Sequence, residues 1–185
     1  NDGSKYVDAI ETLNEAVTRY GKTEQGPKLR YLLADSYRRS VDVLQQKLNG
    51  ELSQRKQLAL QKERRRRLKE AQRYYNQVIN QIEAEAKGSL SALEKLYHRN
   101  AYFYQADCAF DRGQYELAIE LYNEAARKWD DDPASLVALV QIVNAHCELG
   151  QYQQAGVYNR MALERLKQMP EGAFDRPDLP MSRQH

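Results

Sequence analysis

The stretch YFYQADCAFDRGQYELAIELYNEAARKWDDDP, from Tyr102 to Pro133, admits few arrangements other than a compact pair of antiparallel helices. Gly113 stands where a chain leaving a helix needs a left-handed residue, a conformation only Gly adopts without steric cost. Ala106 opposite Ala118 and Ala125 lets the two helices approach closely. Tyr102, Tyr115 and Tyr122 fill the wider gaps, and the spacing of three and four along Tyr115, Ala118, Tyr122 and Ala125 keeps them on one face. Asp131 or Asp132 before Pro133 supplies the N-cap and first-turn proline of a following helix. A single hairpin of this kind cannot bury its own apolar face, so neighbouring copies are required.

This pattern of Tyr102, Ala106, Gly113, Tyr115, Ala118, Tyr122, Ala125 and Pro133 resembles a tetratricopeptide repeat of bacterial type. A second copy follows, with Leu139, Val143, Gly150, Tyr152, Ala155, Ala162 and Pro170 in matching places. Its turn glycine lies 37 positions after Gly113, slightly beyond the usual repeat of roughly 34. It departs from the pattern where His146 replaces an aromatic of helix A, and where Asn159, beside Tyr158, replaces the aromatic of helix B. Upstream, Ala34, Asp35, Ser36 and Tyr37 repeat helix A, and Ala71 and Tyr75 read as its helix B, about 25 positions late. Tyr6, Ala9, Leu13 and Ala16 read as a bare helix B, which implies a helix A upstream and a chain that is a piece of a longer array. The resemblance implies an all-α, TPR-like solenoid, a right-handed superhelix of antiparallel helix pairs with one elongated hairpin. It spans residues 1–169, as a half repeat (1–25), the elongated repeat (26–88) and two further repeats (90–132 and 133–169), followed by a Pro-containing tail (170–185).

The sequence predicts helices over 5–20, 26–49, 52–86, 90–112, 115–129, 133–149 and 152–168. Asn49 and Gly50, or the stretch to Ser53, mark the tip of the long hairpin. Val41, Leu44, Leu48 and Leu52 on one side, and Leu58, Leu68, Ala71, Tyr75, Val78 and Ile82 on the other, form the stripes expected to pair in this arm. The arm carries QKERRRRLKEAQR. Four consecutive arginines, Arg64, Arg65, Arg66 and Arg67, point all round a helix and cannot themselves form one stripe. They read as a solvated face paired with Glu63 and Glu70 at three or four residues, worth a few tenths of a kcal/mol per pair. A phosphate-binding patch or a contact with an acidic protein would use the same residues.

Composition excludes several classes of function. A mean hydropathy of −0.83 and the lack of an apolar run near the roughly 18 residues of a span argue against a transmembrane segment. A net charge of +2 is too close to neutrality to imply nucleic acid or an anionic membrane by itself, and disfavours both. Cys108 and Cys147 lack CxxC spacing and are expected to be buried free thiols. His98, His146 and His185 are scattered, and His146 and Cys147 point about 100° apart, so no metal site is expected. No HExxH, phosphate-binding glycine loop or GxSxG elbow is present, and neither a cofactor nor catalysis is expected.

In the tetratricopeptide family helices A build the concave face. The resemblance therefore implies a partner groove lined by Tyr31, Asp35 and Arg38, by Phe103, Tyr104, Asp107 and Phe110, and by Gln141 and Asn144, with Leu32, Arg39, Asn100, Asp111, Val140 and Glu148 on the same face. The family's clamp for a terminal carboxylate uses Lys and Asn where this chain has Tyr31, Asp35, Phe103 and Asp107, so that specificity is not expected. Two readings of Asp35 and Asp107 stand side by side: acids that attract a basic partner, or acids hydrogen-bonded within the chain. The function implied is a non-enzymatic scaffold for a peptide or protein. The alternatives are a spacer whose arm contacts partners, or weak nucleic-acid association through Arg64 to Arg67. The long repeats are also similar in style to those of bacterial outer-membrane assembly lipoproteins and the Tol-associated periplasmic coordinator, which leaves cytoplasm and bacterial periplasm or envelope both open. In the tail, Phe174, Leu179 and Met181 are the expected anchors.

Overall fold

The computed structural model describes residues 2–85, 89–170 and 172–174. Among the described residues the chain is all α, with seven helices: α1 (Asp2–Tyr20), α2 (Gly26–Leu48), α3 (Gln54–Glu85), α4 (Ala92–Asp111), α5 (Tyr115–Lys128), α6 (Ala134–Glu148) and α7 (Tyr152–Gln168). They fall within a few residues of the helices read from the sequence. Two compact units divide between Ala101 and Tyr102, and α4 runs through the division.

In the first unit α1 packs on α2 and α2 on α3. One asparagine ties the three together: Asn14 donates through its amide nitrogen to the Tyr37 hydroxyl at 3.3 Å and accepts from the Tyr74 hydroxyl at 3.1 Å. Tyr37 and Tyr74 stack with centroids 6.1 Å apart. The long hairpin turns at residues 49–53, where the Asn49 and Gly50 amides close on carbonyls of the last turn of α2. Val41 and Leu44 are buried on α2, as are Leu68, Ala71, Tyr75, Val78 and Ile82 on α3. Leu58 departs from the expected stripe and is 60% exposed. The buried phase of α3 continues from Leu68 back through Arg64 to the half-buried Leu60, so Leu58 falls on the far side. With 32 residues, α3 extends about 48 Å, against about 35 Å for the 23 residues of α2. The start of α4 is a capping box: the Ser91 amide and hydroxyl donate to Glu94, whose amide donates back to the Ser91 hydroxyl at 3.2 Å.

The second unit repeats one turn twice. Gly113 (φ 74°) and Gly150 (φ 70°) are left-handed. The Gly113 amide bonds Phe110 O and the Gln114 amide bonds Ala109 O; the Gly150 amide bonds Cys147 O and the Gln151 amide bonds His146 O. Both are Schellman ends, which consume carbonyls the helix leaves unpaired and reverse the chain. Ala118, Tyr122 and Ala125 are the buried residues of α5, as the small and large alternation requires. Of the two expected caps, Asp132 is the one that accepts from the Ala134 amide, at 2.9 Å.

Tyr158 exchanges hydrogen bonds with Asn123 and stacks on His146 at 5.3 Å, while its neighbour Asn159 is exposed. Cys108 is buried but Cys147 is exposed, contrary to the expectation of two buried thiols. Cys147 sits three residues after Asn144 and seven after Val140, on the side of α6 opposite buried Ala138, Ile142 and Ala145. Phe174 is exposed rather than an anchor; Leu179, Met181 and His185 lie outside the described residues.

Candidate functional site

The expected groove residues divide between the two units, and each set has its own surroundings. In the first unit Tyr31 is buried, stacked on Tyr97 at 4.3 Å and edge-on to Tyr75 at 5.8 Å, with its hydroxyl accepting from the Asn100 amide at 3.2 Å. Asp35 is held by two arginines of its own helix, Arg38 at 2.7 Å and Arg39 at 2.5 Å. Arg38 also donates to the Tyr75 hydroxyl at 3.3 Å. The carboxylate is spent within the helix rather than offered to a basic partner. Leu32, one turn before Asp35, is the exposed aliphatic on this face of α2.

In the second unit Phe103 and Gln141 are each only 2% exposed. This corrects their assignment as lining residues. Residues 98–103 of α4 are all buried, the polar His98, Arg99 and Asn100 among them. Gln141 lies on the buried side of α6 and its side-chain oxygen accepts from the Asn144 amide at 3.0 Å. Asp107 accepts from the buried Tyr122 hydroxyl at 2.5 Å. Burial first, and then the Asp107 charge, pushes the Tyr122 phenol well above its ordinary range, so the hydroxyl stays protonated as donor. For Asp35 and Asp107 the structure thus favours the intramolecular role over attraction of a partner. Tyr104, Phe110 and Asn144 remain half-buried and Val140 is 44% exposed. On α6, Val137, Val140, Asn144 and Cys147 recur at three and four along one face. The helix α5 touches both α4, through Tyr122 and Asp107, and α6.

Residues 84–133 match the tetratricopeptide repeat family model. That segment holds the hairpin of α4 and α5, with Gly113 at its turn and Tyr122 in its register. Among solved structures, the chain is similar to the TPR-like repeats of a kinesin light chain from Podosopora anserina, with 20% identity over 90% of this chain and 89% of that one and a TM-score of 0.41. No curated protein matches the chain.

The four consecutive arginines of α3 take different roles. Arg66 and Arg67 both bond Glu63, at 2.7 and 2.8 Å. The Arg66 bond leads in drawing the Glu63 carboxyl down to about 2, against the opposing effect of partial burial. Arg64 and Arg67 lean toward the buried side, whereas Arg65 and Arg66 are exposed. Sequence reasoning treated the run of four as the unit and missed what lies on the outer face of α3. Among the described residues no group of His, Cys, Asp and Glu is placed to hold a metal ion. His98 is buried with Nε2 at 3.1 Å from Glu83, and His146 is buried with Nδ1 at 2.7 Å from Gln151. Among the described residues no helix is long and apolar enough to cross a membrane.

Proposed function

We propose that this chain is a non-catalytic protein-binding scaffold whose working surface in the second unit is the outward face of its A-type helices, Tyr104 and Phe110 on α4 and Val140 and Asn144 on α6. The observation that carries the reading is Val140, an aliphatic side chain 44% exposed beside the amide of Asn144, within a chain whose segment 84–133 matches the tetratricopeptide repeat family. Repeats of this kind generally serve as protein-interaction modules. Tyr104, Phe110 and Val140 offer apolar area that orders few rotors on binding, and Asn144 offers a donor and an acceptor to a partner's backbone. Because Asp107 is engaged by Tyr122, the partner is recognised by apolar side chains and backbone amides rather than by a basic residue.

The test is a double change, Tyr104→Ala with Val140→Ala. It should weaken a partner isolated with the full chain by at least about 1.4 kcal/mol, tenfold in affinity, while leaving helix content intact. Equal binding by wild type and variant would remove this face from the function. Phe103→Ala is unsuitable for the purpose, since emptying a buried aromatic site costs roughly 3 to 5 kcal/mol of stability.

A further inference from the structure

The excess of basic charge in this chain lies on one helix. From Gln54 to Arg73, α3 carries nine Lys and Arg against two Glu, and the remainder of the chain has nineteen against twenty-four. The near-neutral total therefore hides a basic helix on an acidic protein. The buried residues of α3 begin at Leu68, and Leu60, Arg64 and Arg67 lean toward the same side. The opposite side reads Arg55, Leu58, Lys62, Arg65, Lys69 and Arg73 at steps of three and four, every one exposed, with Arg66 next to Arg65. At 1.5 Å per residue this row runs straight for about 27 Å. Glu63 and Glu70 lie on its flank and are engaged by Arg66, Arg67 and Arg73. Among the described residues no acid pairs with Arg55, Lys62, Arg65 or Lys69.

We propose that this outward face of α3 binds the phosphate backbone of a nucleic-acid duplex without reading its sequence. The residues on the row decide among polyanions. A membrane-surface helix needs an apolar face, and this row has only Leu58. A protein hot spot needs aromatic or aliphatic anchors packed at its centre, which the row also lacks. Single strands are held by stacking on aromatic side chains, and none stands on the row. Duplex binding through phosphates requires none of these: a regular line of cations releasing counterions suffices. A row of about 27 Å lies opposite roughly eight base pairs at 3.4 Å rise per strand. The row uses none of the α4 and α6 residues proposed above and does not depend on that reading.

The experiment measures fluorescence anisotropy of labelled 24-base-pair DNA and RNA duplexes with the full chain between 50 and 200 mM KCl. The quadruple variant Arg55→Gln, Lys62→Gln, Arg65→Gln, Lys69→Gln removes the unpaired cations while Gln preserves helix propensity. A control variant, Lys22→Gln, Lys28→Gln, Lys95→Gln, Arg160→Gln, makes the same change in net charge elsewhere. With four phosphates neutralised, wild-type affinity should fall with log salt at a slope of about −3.6 and be the same for duplexes of different sequence. The first variant, with unchanged circular dichroism and Tm, should lose at least tenfold at 100 mM KCl and most of that slope, while the control retains binding. The proposal is overturned by absence of duplex binding at 50 mM KCl or by equal loss in the two variants. It is likewise overturned if single-stranded oligonucleotide, polyglutamate or anionic phosphatidylserine vesicles bind at least as tightly as duplex.

Discussion

Replacing Tyr122 by Phe isolates the contact that removed Asp107 from the expected groove. The phenol is buried and its hydroxyl lies 2.5 Å from Asp107 Oδ1, so the variant loses one hydrogen bond to a charged acceptor. Such bonds contribute about 1.5 to 3 kcal/mol, and the half-buried Asp107 can recruit water in compensation, which places the loss at about 1.5 kcal/mol near pH 8. The pH dependence adds an independent check. Tyr122 titrates well above its ordinary value in the folded chain, through burial first and Asp107 second, and near 10 when unfolded. A folded value raised above the unfolded one stabilises below pH 10, and that stabilisation is lost as pH rises beyond it. Above pH 10 ionisation of Tyr122 increasingly favours the unfolded wild type, a contribution that Phe lacks. The difference in urea-unfolding free energy, followed by circular dichroism, should therefore shrink between pH 8, where it is about 1.5 kcal/mol, and pH 11. A gap under about 0.5 kcal/mol at pH 8, or one unchanged at pH 11, would refute the assignment of Tyr122 as a buried donor.

Two further outcomes follow from packing and charge. Ala118→Leu should destabilise by roughly 1 to 3 kcal/mol through overpacking, because Ala118 is fully buried in α5; a Tm equal to wild type would show room that the structure does not have. Glu63→Gln should cost about 0.5 to 1 kcal/mol at pH 7, since its two arginine pairs are partly solvent-screened. With its carboxyl drawn from 4.5 to about 2 by Arg66 and then Arg67, the stabilisation is present above pH 4.5 and fades as pH falls toward 2. The two Tm values should accordingly converge at pH 2, and a gap that persists there would mean that Glu63 acts by packing.

The fold was legible because its decisive residues act locally. Gly113 and Gly150 dictate their Schellman turns within six residues, and Ala118, Tyr122 and Ala125 set a register that needs only the facing helix. The candidate site was less legible because its residues are defined by what lies across from them. Family position placed Phe103 and Gln141 on the binding face, but burial depends on neighbours that no spacing rule supplies. Asp35 was decidable in principle, since Arg38 and Arg39 follow it at three and four residues. Asp107 was not, because its partner Tyr122 comes from another helix. On α3 the consecutive arginines are conspicuous in the sequence, whereas the continuous surface is the spaced row from Arg55 to Arg73, which became legible once Leu58, expected on the buried stripe, proved exposed.

The two proposed surfaces differ in the physics that would hold a partner, and ionic strength separates them. Val140, Tyr104 and Phe110 act by removing apolar area from water, which screening ions leave untouched and sulfate strengthens. The row on α3 acts through charges on exposed side chains, whose attraction decays over about 10 Å at 0.1 M salt and is lost within a few hundred millimolar. A partner retained at 0.5 M salt is therefore bound by the second unit, and one released there is bound by α3. That division also explains why Glu63 and Glu70 belong on the flank of the helix. They hold Arg66, Arg67 and Arg73 in place and reduce the repulsion among nine cations on one helix, while leaving Arg55, Lys62, Arg65 and Lys69 to the solvent.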